Sequence, residues 1–78
     1  MKLTGKCKAE RIGCRGITKS GRELSWGVRN LKGIMDSCHD EILGEDYYEL
    51  TTNDGSVYRF SQDEIYHNVR YQKIKFAA

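Results

Sequence analysis

The side chains able to do chemistry are few and widely spaced. Cys7, Cys14, Cys38, His39 and His67 together carry enough sulfur and nitrogen donors for one zinc ion. Structural zinc sites usually draw ligands in pairs about two to four residues apart, because a tight knuckle must aim both thiolates inward. Cys7 and Cys14 are farther apart than that, and Cys38 and His39 are adjacent. On a helix such neighbours diverge by ~100°. No metal and no other cofactor is expected. Three cysteines, an odd number, fit free thiols in a reducing compartment better than a disulfide framework.

Nucleophilic catalysis needs a cysteine or serine held by a base. Cys7 or Cys14 could meet His67 in space, but no local pattern marks either, and Ser20, Ser25, Ser37, Ser56 and Ser61 lack a nucleophile-elbow glycine pattern. Gly13 and Gly16 are followed neither by a helix start nor by a Lys-Ser/Thr pair, so no phosphate-cradling loop is present. The cluster Tyr66, His67, Arg70 and Tyr71 would suit acid–base cleavage of RNA, with His67 as base and Arg70 on the phosphate. An amphipathic strand edge explains the same four residues with less. No catalytic residue is assigned, the chain is expected not to be an enzyme, and a small RNA-cleaving or thiol enzyme is the least favoured reading.

Charge is the informative feature. Residues 1–33 hold nine Lys or Arg against Glu10 and Glu23, whereas residues 34–64 hold nine acids against Arg59 alone. The net +2 conceals this separation. Asp36, Asp40, Glu41, Glu45, Asp46 and Glu49 lie in the stretch between Lys32 and Arg59 that has no cation, with Tyr47 among them. They are read as an acidic face that docks on a basic surface of another protein, where charge speeds association and an aromatic supplies affinity. If that surface normally holds nucleic acid, the chain acts as an inhibitor or regulator. Small acidic-faced phage inhibitors, anti-CRISPR and anti-restriction proteins among them, are similar in style, but no motif assigns a family.

The alternative partner is nucleic acid, bound through Lys2, Lys6, Lys8, Arg15, Lys19 and Arg22. Cations along an exposed sheet can track phosphates, and Trp26 or Tyr71 could stack a base if exposed. A sequence pI of 8.5 falls below the value of about 9 typical of a basic footprint, and Trp26 alternates with core residues. Pairing between two copies through complementary charged ends is a further option. The N-terminus has no apolar signal region, and the longest apolar run is Phe76-Ala77-Ala78, against the roughly 20 residues of a membrane span. The expected site is therefore the cytoplasm, a host cell's included.

Seventy-eight residues suit one domain over 1–78, which buries roughly 60–65% of its unfolded surface. Asp46 to Phe60 forms a hairpin about the turn Asn53-Asp54-Gly55, with Leu50 opposite Tyr58 and Tyr48 opposite Phe60. Ser61-Gln62-Asp63-Glu64 is a capping box, Phe60 and Ile65 forming its staple, and a short helical turn leads to a last strand, Asn68 to Phe76. Leu31, Ile34, Met35, Cys38 and Ile42 recur at helical spacing between Asn30 and Gly44, predicting a helix from about Leu31 to Leu43. Acids gathered at that helix's C-terminus would oppose its dipole. Leu24, Trp26 and Val28 alternate as a half-buried strand, turned back at Ser20-Gly21 so that Ile17 pairs with Leu24, and Lys2 to Ala9 form the first strand. The fold expected is α+β, in the order β-β-β-α-β-β-β: a small curved antiparallel sheet, an SH3-like partial barrel, with one helix packed on it.

Overall fold

In the computed structural model, which describes residues 3–77, five antiparallel strands and one helix follow in the order β1 (Gly5–Ile17), β2 (Glu23–Asp40), β3 (Glu45–Thr52), β4 (Val57–Ser61), α1 (Gln62–Arg70) and β5 (Ile74–Phe76). β2 pairs with both β1 and β3, and β3 pairs with β4. The sheet curls until β4 meets the C-terminal half of β1 through Gly16↔Tyr58 and Ile17↔Val57. β5 adds to the N-terminal half of β1. The radius of gyration, 11.9 Å, is close to the ~11.5 Å expected for a compact chain of this length.

The hairpin read from the sequence forms in the expected register, with Tyr48↔Phe60, Glu49↔Arg59 and Leu50↔Tyr58. Gly55 takes the left-handed conformation that the turn requires, at φ 83°. Both hydrogen bonds of the capping box are made: Glu64 N–H donates to Ser61 Oγ at 3.2 Å, and Ser61 N–H donates to Glu64 Oε1 at 3.1 Å. Phe60 and Ile65 are fully buried. The helix that follows runs farther than one turn, to Arg70, so the last strand is only Ile74–Phe76.

The helix expected over Leu31–Leu43 does not form. That segment continues β2 to Asp40 and then turns at 41–44. Leu31 and Met35 are buried, but Ile34 is half exposed and Ile42 is 95% exposed, so the inward residues follow an alternating pattern rather than a helical stripe. A spacing of four satisfies both periods, since it is one helical turn and also an even step along a strand. Gly33 tips the balance. A Cβ there would lie 2.0 Å from the Thr51 carbonyl oxygen, so the two strands approach as closely as they do only because this residue has no side chain.

Asn30 and Gly44, expected at the helix ends, serve the strand instead. The Arg11 N–H donates to Asn30 Oδ1 at 2.9 Å, which satisfies a donor left over at the bulge between Ala9 and Ile12. Arg11 adopts φ 52° there. Because the bulge bends one strand rather than ending it, the two strands expected before Lys19 are a single β1. Gly44, at φ 66°, closes the β2–β3 turn, donating to the Asp40 carbonyl at 2.8 Å. The order is thus β-β-β-β-α-β, with the helix after the fourth strand.

A second irregularity, between Cys14 and Gly16, shifts the first hairpin by one residue. Gly16 rather than Ile17 faces Leu24, and Ile17 is half exposed. Trp26, expected inside, is 62% exposed; a Cβ on Gly13 would fall 2.3 Å from its ring, so the indole lies against the bare backbone of β1. Val28 is likewise exposed. The core is built from Cys7, Ile12, Met35, Leu50, Phe60 and Ile74 among others, with Ile65 the one buried residue of α1. Among the described residues, no helix is long and apolar enough to cross a membrane.

Candidate functional site

The outer face of β2 and β3 collects most of the acids singled out in the sequence. Asp36 stands directly opposite Glu49, and Asp40 opposite Glu45. Cross-strand partners project from the same side of a sheet, and like charges so placed are destabilising on the scale of roughly 0.2–1 kcal/mol. Between these two acid pairs lies Cys38↔Tyr47. Glu41 is exposed in the turn beyond. Asp46 projects from the opposite face, where its Oδ1 is 2.6 Å from His39 Nδ1.

With a strand to Asp40 and a turn over 41–44 in place of the helix, no helix dipole acts on these acids. Asp40 is instead well used. Its Oδ1 accepts from the N–H groups of Ile42 and Leu43 at 3.0 and 3.1 Å, and its Oδ2 meets Arg59 at 3.4 Å. The Leu43 N–H bond, helped by that of Ile42 and by Arg59 and opposed by partial burial, holds its carboxyl below the usual aspartate range. Arg59 also lies 3.7 Å from the centroid of the Tyr47 ring and stands opposite Glu49. One guanidinium thus serves a face with four carboxylates, and Asp36, Glu45 and Glu49 form no ion pair among the described residues.

Tyr47 and Cys38 remain protonated on this face. Burial and then the charge of Glu49 push the Tyr47 hydroxyl up. The Cys38 thiol, 3.2 Å from Glu49 Oε1 and donating to it, is raised by burial and by the same carboxylate. The other two thiols lie inside. Burial pushes Cys7 up to about 11, and Cys14 is raised by burial against the opposing effect of Arg29. A nucleophilic thiol needs the opposite shift. Arg29 is itself committed to structure, donating to the carbonyls of Cys14, Gly27 and Ser25 at 2.6, 3.2 and 2.8 Å.

Tyr66, His67 and Arg70 lie on α1 rather than on a strand edge, with Tyr71 as its C-cap. His67 packs against Tyr71 with ring centroids 4.7 Å apart, and Tyr66 and Tyr71 are exposed. Among the described residues no three His, Cys, Asp or Glu side chains cluster as a metal site would require.

The basic residues proposed for nucleic acid are divided by the fold. Lys2 lies outside the described residues. Arg15 and Lys19 line one groove of about 880 Å³ together with Trp26, Glu49 and Arg59, and Arg22 is exposed at the nearby turn. Lys6 and Lys8 line a different groove, of about 510 Å³, in the company of Lys32, Lys73 and Lys75. These last three were not singled out from the sequence. The available signal was the outward period of β1, which marked Lys6 and Lys8; the strands beside it were not knowable from local pattern.

Comparison with known proteins gave no match: no family model matches the chain, and no curated protein or solved structure matches it significantly.

Proposed function

We propose that this chain is a non-enzymatic interaction module, built on an SH3-like barrel, whose acidic β2–β3 face docks on a basic surface of a partner protein. The observation that supports this reading is the placing of acid opposite acid twice, Asp36↔Glu49 and Asp40↔Glu45. The facing of like charges itself opposes sheet pairing, although Asp40 also caps the turn and meets Arg59, and sequence choices that oppose local stability tend to gather at functional sites. A cationic partner would relieve the repulsion on contact. Tyr47, uncharged and central to the face, supplies the aromatic anchor that charge alone lacks. Arg59 limits the excess of negative charge without cancelling it. Where the partner's basic surface ordinarily receives nucleic acid, docking excludes it, which is the action of a small inhibitor of phage or mobile-element type working in a cell's cytoplasm.

The test is charge reversal at Asp36, Glu45 and Glu49, which form no ion pair among the described residues. The immobilised wild type and the triple variant Asp36→Lys, Glu45→Lys, Glu49→Lys are compared for affinity capture from source cells, with captured proteins identified by mass spectrometry. The expected result is a basic protein retained by the wild type, released by raised salt, and depleted at least tenfold on the variant, whose circular dichroism is unchanged. Equal capture by the folded variant removes the acidic-face reading.

A further inference from the structure

The strongest unassigned feature is a row of lysines across three strands. Lys8 on β1 is the cross-strand partner of Lys32 on β2 and also of Lys75 on β5. All three are exposed, and none forms an ion pair among the described residues. The row spans two strand spacings, on the order of 10 Å. Lys6, one step along the same face, stands opposite Ile34, and Lys73 reaches the groove from the turn before β5. Among the described residues, Glu10 is the one carboxylate lining it. Three ammonium groups in direct register repel one another as the acid pairs do. Here the repulsion comes with a concave shape of about 510 Å³.

We infer that this groove binds the phosphodiester backbone of single-stranded nucleic acid, independently of the acidic face and of its partner. Lysine heads act on phosphate as point charges with no demand for one geometry. Their stems, with Ile34 and Phe76, leave an apolar lining beneath the charged rim. Among the described residues the one aromatic in the lining is Phe76, which is partly buried, so recognition is chiefly of the backbone and indifferent to base sequence. Shape and surroundings disfavour a membrane. A bilayer is flat and cannot enter a concavity, and Asp36 follows Lys32 by four residues on the same outer face of β2, about 13 Å away. An anionic plane laid over the lysines would cover the Asp36–Glu49 pair as well. A single strand following the row avoids it.

The experiment is fluorescence anisotropy of a labelled oligothymidylate with the full chain, across a range of salt, for the wild type and the variant Lys8→Gln, Lys32→Gln, Lys75→Gln. Wild-type binding should weaken linearly in log–log form with added salt. Each phosphate contact contributes a slope of about 0.7, so the triple variant should lose about 2 from that slope and at least tenfold in affinity at low salt. Thermal melting separates this from misfolding: with the repulsive row removed, the variant should melt at or above the wild-type temperature. Asp36→Lys, Glu45→Lys, Glu49→Lys should bind the oligonucleotide at least as tightly as wild type, which keeps failure here distinct from failure of the acidic face. Absence of wild-type binding at low salt, an unchanged affinity in the stable lysine variant, or sedimentation with phosphatidylserine vesicles in place of oligonucleotide binding would overturn the assignment.

Discussion

The Arg59 guanidinium lies 3.7 Å from the centroid of the Tyr47 ring and continues past it to Asp40. The geometry combines a cation–π contact with an ion pair, yet more than half of the arginine side chain is open to solvent. Exposed contacts of either kind are worth at most about 1 kcal/mol. With one contact of each kind, Arg59→Gln should therefore lower the urea unfolding free energy by no more than about 2 kcal/mol. On the reading proposed above it should also strengthen capture of a basic partner, because the cation that meets Asp40 and Tyr47 is gone. Weaker capture by a folded Arg59→Gln protein would point to the arginine itself as a contact.

Asp36 and Glu49 face each other with no intervening cation on their own pair of strands. Asp36→Asn keeps the shape and removes the charge–charge repulsion of the pair. The expected gain is a few tenths of a kcal/mol, up to about 1, and it should shrink as salt screens the pair. Chemical denaturation at low and high salt measures both. A loss of stability at low salt would show that Asp36 is held by an attractive contact instead.

Gly33 lies at a close approach between β2 and β3. With a Cβ destined for a point 2.0 Å from the Thr51 carbonyl oxygen and 3.0 Å from the Thr52 Cα, Gly33→Ala must push two backbones apart. Overpacking of this sort costs about 1–3 kcal/mol, and the alanine's better intrinsic propensity cannot offset it. Gly44→Ala meets no atom within 4 Å but sits at φ 66°, so its cost comes from the left-handed conformation alone, about 1–2 kcal/mol. Gly44→Asn should recover much of that loss. Thermal melts of the three variants give the order.

Acid should destabilise the fold through two depressed carboxyls. The Thr52 hydroxyl and the Ser56 N–H hold Asp54 below its ordinary 3.8, and the Leu43 N–H leads in doing the same for Asp40. A carboxyl whose folded value is depressed contributes stability that is present above the unfolded value and lost as pH falls through the folded one. Stability should accordingly be flat near neutrality and decline once pH drops below about 4. Asp54→Asn should make that decline shallower. An identical acid limb in wild type and variant would show that the turn does not carry it.

The thiols should differ in reactivity by position. Cys7 and Cys14 are buried, while Cys38 is partly open, and every one has its thiolate disfavoured. Alkylation followed by mass spectrometry at mildly alkaline pH should modify Cys38 first and slowly, with Cys7 and Cys14 following only when the chain unfolds. Since Cys7 is raised to about 11 from an unfolded 9.0, its contribution to stability is complete below pH 9 and is lost as pH rises through 11. Rapid modification of Cys7 in the folded protein would contradict its place in the core.

Wherever neighbours in the chain decide the structure, the sequence alone was enough. The turn at Asn53-Asp54-Gly55, the alternation that puts Tyr48, Leu50, Tyr58 and Phe60 together, and the reciprocal bonds of Ser61 and Glu64 are all local, and each forms in the register that turn chemistry implies. The separation of basic and acidic stretches is equally a property of the chain. What the chain could not decide locally was whether residues 31–40 are helix or strand, because Leu31 and Met35 satisfy both spacings, and Asn30 and Gly44 suit a bulge and a turn as well as two helix caps. Contact with β1 and β3, where Gly33 admits the Thr51 carbonyl, settled it in favour of the strand. The same long-range pairing placed Lys32 and Lys75 beside Lys8 and set Asp36 against Glu49. Charges distant in the chain become neighbours only when strands align, so the acid pairs and the lysine row belong to the tertiary structure.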